Sequence, residues 1–127
     1  MRKLLFLLLI SIFLIACSNT TDKSHREDFK IHDDIDNMLA LDALSVYWKI
    51  EDDIVYDEDI ETDDLFIFTD RYFTDEEKFE SLNELEQNLV MKTAGMISKY
   101  LRGEYDDIQK LNEDIIEFNK VLETGTY

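Results

Sequence analysis

The sequence predicts an all-α fold, a small bundle of about three helices with a C-terminal helical hairpin. Two observations carry this, and a third bears on its stability. The 127 residues contain only three glycines and no proline, too few breakers for a turn-rich sandwich or barrel. Apolar residues recur at helical spacing over long runs. The single cysteine excludes an internal disulfide, so packing alone must hold the body together.

The N-terminus is a separate segment. Arg2 and Lys3 lead an apolar run from Leu4 to Ile15 interrupted only by Ser11, and Ala16 precedes Cys17. As a helix that run reaches about 18 Å, short of the roughly 30 Å hydrocarbon core. It fits an export signal better than a membrane span. Leu14-Ile15-Ala16-Cys17 resembles the lipobox of bacterial lipoproteins. The resemblance implies removal of residues 1–16, a diacylglyceryl group on the Cys17 sulfur, and a membrane anchor on the extracytoplasmic face, or at an outer membrane where the cell has one. Ser18 stands where such families in two-membrane bacteria place an aspartate for inner-membrane retention.

Residues 17–28 read as the lipidated cysteine and a polar tether, and Ser18 to Asp28 span up to about 36 Å when extended. The rest, 29–127, is one acidic domain. Without Arg2 and Lys3, the mature chain sets 11 basic residues against 30 acidic ones, a formal charge of −19. Nucleic acid and anionic lipid headgroups are repelled by such a body. A basic protein or a cationic peptide is the partner this charge favours.

Within the domain, Phe29 to Ile50 reads as the first helix. Ile31, Ile35, Met38 and Leu39 form one stripe, with Leu41, Leu44 and Trp48 beside it, and Asp33, Asp34 and Asp36 lie at its positive end. Tyr47 and Trp48 on so wide an apolar face read as core. Glu51 to Asp64 follows with nine acidic residues in 14 and no base. Repulsion between like charges at helical spacing predicts an irregular connection with one short helical turn. The aromatic stretch from Leu65 to Phe73 is expected to fold over the end of the bundle.

Thr74 and Glu77 form a capping-box pattern for a second helix running through Leu82, Leu85, Leu89, Met96 and Tyr100. Lys99, Arg102 and Gly103 give the expected ending. Gly95 in its middle suggests a close neighbour or a bend. Asp106 and Asp107 start a third helix whose seam, Ile108, Leu111, Ile115, Phe118 and Leu122, alternates three- and four-residue steps. The short link at Gly103–Tyr105 predicts an antiparallel hairpin, and the seam is expected to pack within the chain rather than against a second one.

Groups for catalysis are sparse, and the protein reads as a non-enzyme without cofactor. The histidines are His25 in the tether and His32. His32-Asp33 resembles the His-Asp pair of metal-dependent phosphohydrolases, but no further histidine follows to complete their ligand set. A calcium loop started at Asp57, Asp59 and Glu61 places Thr62 and Phe68 where glycine and glutamate are needed. No metal site is therefore assigned. The acidic run remains the candidate partner surface: Asp52, Asp53, Asp57, Asp59, Asp63 and Asp64 supply charge, and Ile54, Tyr56, Ile60 and Phe66 either anchor the run or grip a partner. Divalent-cation binding by residues 51–64 is the alternative reading, and a structural envelope role without a discrete ligand is the third.

Overall fold

A computed structural model describes residues 29–126; the expected signal segment, Cys17 and the expected tether lie outside the described residues. All regular structure among the described residues is helical, with no strand. The elements are α1 (Asn37–Tyr56), α2 (Thr62–Tyr72), α3 (Glu76–Ser81), α4 (Glu84–Leu101) and α5 (Ile108–Thr124). The three long helices of the sequence reading correspond to α1, to α3 with α4, and to α5, and α2 is added.

The first helix begins later than expected. Phe29 to Asp36 is non-helical, and the Asp36 carboxylate accepts from the Met38 and Leu39 amides as the N-cap of α1. Phe29 and Ile31 nevertheless pack on the core, which explains why they fall in with the apolar stripe. The backbone N–H of His32 donates to the Leu122 carbonyl at 2.6 Å, tying this segment to the end of α5.

The expected second helix is broken in two. Asp75, not Thr74, caps α3 by accepting from the Lys78 amide; the Thr74 hydroxyl instead donates to the Thr69 carbonyl. Leu82 turns to an extended conformation, and Asn83 caps α4 in a reciprocal capping box with Glu86. The same Glu86 accepts from the Asp36 amide at 2.9 Å, and the Asn83 side chain donates to the Asp34 carbonyl at 2.8 Å. One glutamate and one asparagine thus fix the starts of α1 and α4 against each other.

These bonds and the contact of Tyr100 with Asp53 show α1 and α4 running parallel. Lys92–Glu117 and Lys99–Asp114 set α5 antiparallel to α4, the hairpin that the short link implies. Its turn is a Schellman ending: the Gly103 amide donates to Tyr100 and the Glu104 amide to Lys99, with Gly103 at φ 69°. Lys49–Asp64 and Arg71–Asp42 set α2 antiparallel to α1. Gly95 makes no close approach; a Cβ there would meet nothing within 4 Å.

The core lies where α1, α4 and α5 meet. Leu39, Leu44, Ile50, Leu65, Leu89, Val90, Leu111, Phe118, Val121 and Leu122 are almost wholly withdrawn from water. The seam of α5 packs inward as expected except for Ile108, which is exposed. Thr93 is fully buried, and its hydroxyl donates to the Leu89 carbonyl one turn back. This parallel and antiparallel arrangement puts the C-terminal ends of α1 and α4 and the N-terminal ends of α2 and α5 at one pole.

Candidate functional site

The acidic run Glu51–Asp64 sits at that pole and is more ordered than its charge suggests. It is helical through Tyr56, irregular over 57–61, and helical again from Thr62. Three contacts offset the repulsion that the local sequence predicts. Glu51 is buried and accepts from the Tyr47 hydroxyl at 2.9 Å. Asp53 accepts from the Tyr100 hydroxyl of α4 at 2.8 Å. Asp64 pairs with Lys49 of α1 at 2.8 Å. Asp63 and Asp64 also occupy the first turn of α2, where the helix dipole favours negative charge.

The end of α1 has the opposite polarity. Its last turn contains no base, and Asp52, Asp53 and Asp57 add negative charge where the helix dipole is already negative. Asp57 ends the helix in the left-handed region at φ 54° and ψ 38°, a conformation that costs most non-glycine residues energy and that Asn and Asp tolerate best.

The candidate partner residues divide into two groups. Asp52, Asp59 and Asp64 line one water-accessible depression of about 220 Å³, together with Lys49, Glu58, Ile60 and Glu61. Asp53 instead faces Tyr100, while Tyr56, Asp57 and Asp63 lie outside the lining. Among the described residues, no three His, Cys, Asp or Glu side chains converge to hold a metal ion. Ile54 and Ile60 pack against the core and anchor the run, whereas Phe66 on α2 is 43% exposed. Lys49 was not legible as a member of this surface, because its partner Asp64 is a neighbour only once α2 folds back along α1. Glu58 and Glu61 carried no signal beyond their charge.

The surrounding bases are already committed. Lys49 pairs with Asp64, Lys99 with Asp114, Arg102 with Glu104 and Lys110 with Asp106. The Arg102 guanidinium holds the Glu104 carboxyl below the usual range, and the Lys110 ammonium does the same for Asp106. His32 lies at the opposite pole, half-buried, with its Nδ1 accepting from the Asp34 amide at 3.2 Å. That is a local turn contact, not a ligand cluster.

Two interhelical phenols report on this packing. Tyr100 is pushed up to about 12, first by burial, then by donation to Asp53 and by the charges of Asp53 and Asp59. Tyr72, which donates to Asp42 at 2.7 Å, is also pushed up to about 12 by burial and by Asp42, with Arg71 opposing. Unfolded, both ionise near 10. Unfolding in alkali therefore releases protons, so the stability these phenols contribute is complete below pH 10 and is lost as pH rises through about 12. The urea midpoint is expected to fall over this window, and to fall less steeply in the Tyr72→Phe/Tyr100→Phe double variant. Parallel slopes would overturn this assignment.

No protein-family model, curated protein or solved structure matches the chain.

Proposed function

We propose that the protein is a non-enzymatic lipoprotein, anchored through lipid on Cys17 at the extracytoplasmic face of a membrane, whose acidic pole captures a basic protein or cationic peptide. Immunity against a secreted toxin or an accessory role in the envelope fits this chemistry. The observation that carries the reading is electrostatic. Acids accumulate at the dipole-negative end of α1, and the bases nearby are already paired with other acids. A cationic partner would relieve a repulsion that the folded body otherwise retains.

A specific divalent-cation site has no comparable support: Glu51, Asp53 and Asp64 are each held by a separate partner, and among the described residues no three acids are placed to hold one metal ion. Among the described residues, no helix is long and apolar enough to cross a membrane; the proposed anchor rests on the sequence of residues 1–17.

Two measurements test the proposal. Mass spectrometry of the membrane fraction is expected to find a lipid-modified N-terminal Cys17; an unacylated product retaining Met1 would remove the anchor. The immobilised full chain is expected to retain basic envelope proteins at low ionic strength and release them as salt shortens the Debye length below about 10 Å. Retention of none at low salt would reject the partner class.

A further inference from the structure

We propose that the groove between α1 and α2 docks a peptide segment polarised along its length, apolar at one end and cationic at the other. This rests on the reading of a basic partner and specifies its form. The acidic depression does not end at Lys49 and Asp64. Both residues also line a second depression of about 140 Å³ further along the same helix pair. The two depressions lie end to end along the helix pair, share the Lys49–Asp64 ion pair as their common border, and are flanked at the far side by Arg71 on Asp42.

The two halves of the groove differ in chemistry. The far half has Val46 and Phe68 buried in its floor and Ile67 on its wall, rimmed by Ser45 and by the ion pairs Lys49–Asp64 and Arg71–Asp42. Ile67 is 53% exposed and Leu41 54% exposed. Leu41 lies on the same stripe of α1 as the lining residues Ser45 and Lys49, at helical spacing. The near half carries Asp52, Asp59 and Glu61. From Glu61 to Ile67 is six residues, about 9 Å along a helix axis, so the occupant must present an apolar and a cationic group separated by roughly that distance.

Charge complementarity selects the occupant. A second copy would bring another acidic rim against this one, and nucleic acid or an anionic membrane surface would be repelled. A uniformly basic face would leave Ile67 and Leu41 uncovered. A short segment with lysines at one end and aliphatic residues at the other fits both halves.

The test uses the full chain in non-ionic detergent and two labelled synthetic peptides of equal composition. In one, leucines occupy one half and lysines the other; in the second they alternate. The polarised peptide is expected to bind about tenfold tighter, and Ile67→Ser to weaken it by about tenfold, the loss of one covered aliphatic side chain. Asp59→Asn with Glu61→Gln is expected to weaken it and to flatten its salt dependence. Ile116→Ser, at an exposed position on α5, is expected to leave binding unchanged. Equal affinity for the two peptides, or no effect of Ile67→Ser, would overturn the groove while leaving the acidic pole as a partner surface. Failure of both peptides to bind at low salt would overturn the acidic pole as well.

Discussion

Phe118→Ala is expected to remove about 3–5 kcal/mol of stability, enough to leave much of the population unfolded. Phe118 is fully buried on the inward seam of α5, and its ring lies 6.5 Å from that of Tyr47 on α1. Truncation opens a cavity where α5 meets the helix at the centre of the bundle. No internal disulfide holds the fold while the core relaxes, since the sole cysteine is Cys17. A protein of this size has total stability of only about 5–15 kcal/mol. The comparison is Ile116→Ala, two residues earlier on the same helix but 69% exposed, for which a change within about 0.5 kcal/mol is expected. Urea titrations followed by circular dichroism measure both. Equal losses would mean that α5 does not present the face described above.

The seam of α5 was legible because local spacing and tertiary packing agree there: Leu111, Ile115, Phe118 and Leu122 point one way and are buried together. The end of α4 was legible for the same reason, since Gly103 supplies the left-handed residue that its turn requires. The break between α3 and α4 was not. Phe79, Leu82 and Leu85 all pack on the core, so the apolar spacing runs through a point where the backbone turns. The capping pattern Asn83–Glu86 was the available signal, and the sequence reading did not use it. The converse happened at Phe29 to Asp36, where apolar residues pack without being helical.

The acidic run shows a different limit. Repulsion between like charges is visible in a local window, whereas the groups that offset it are not. Tyr100 lies 47 residues from Asp53, and Lys49 lies 15 from Asp64. Both pairs exist only because α4 and α2 return alongside α1. Helix therefore extends into sequence that, read alone, favours a loop. The candidate site was legible as a charge excess, and its shape was not: the groove depends on α2, which the sequence reading folds over the end of the bundle instead of along α1.

Asp57→Asn with Asp59→Asn is expected to raise stability by about 1 kcal/mol while weakening capture of a cationic peptide by roughly tenfold. Both side chains are exposed; Asp57 caps the end of α1, where the helix dipole opposes negative charge, and Asp59 adds its charge to the crowded acidic link that follows. Asn also holds the left-handed conformation of residue 57 as well as Asp does. Asp63→Asn supplies the discriminating control. It too removes negative charge from the pole, but from the first turn of α2, where the dipole favours an acid, so a loss of about 0.3–1 kcal/mol is expected. Binding should weaken in both variants, because a partner approaching the pole senses the summed field. Stability should move in opposite directions, because folding senses each charge against its own helix end. If Asp57→Asn with Asp59→Asn lowered stability, the repulsion at the end of α1 would not exist in the folded body. If it left peptide affinity unchanged at low salt, that repulsion would have no connection with capture, and the acidic pole would lose its claim to be the partner surface.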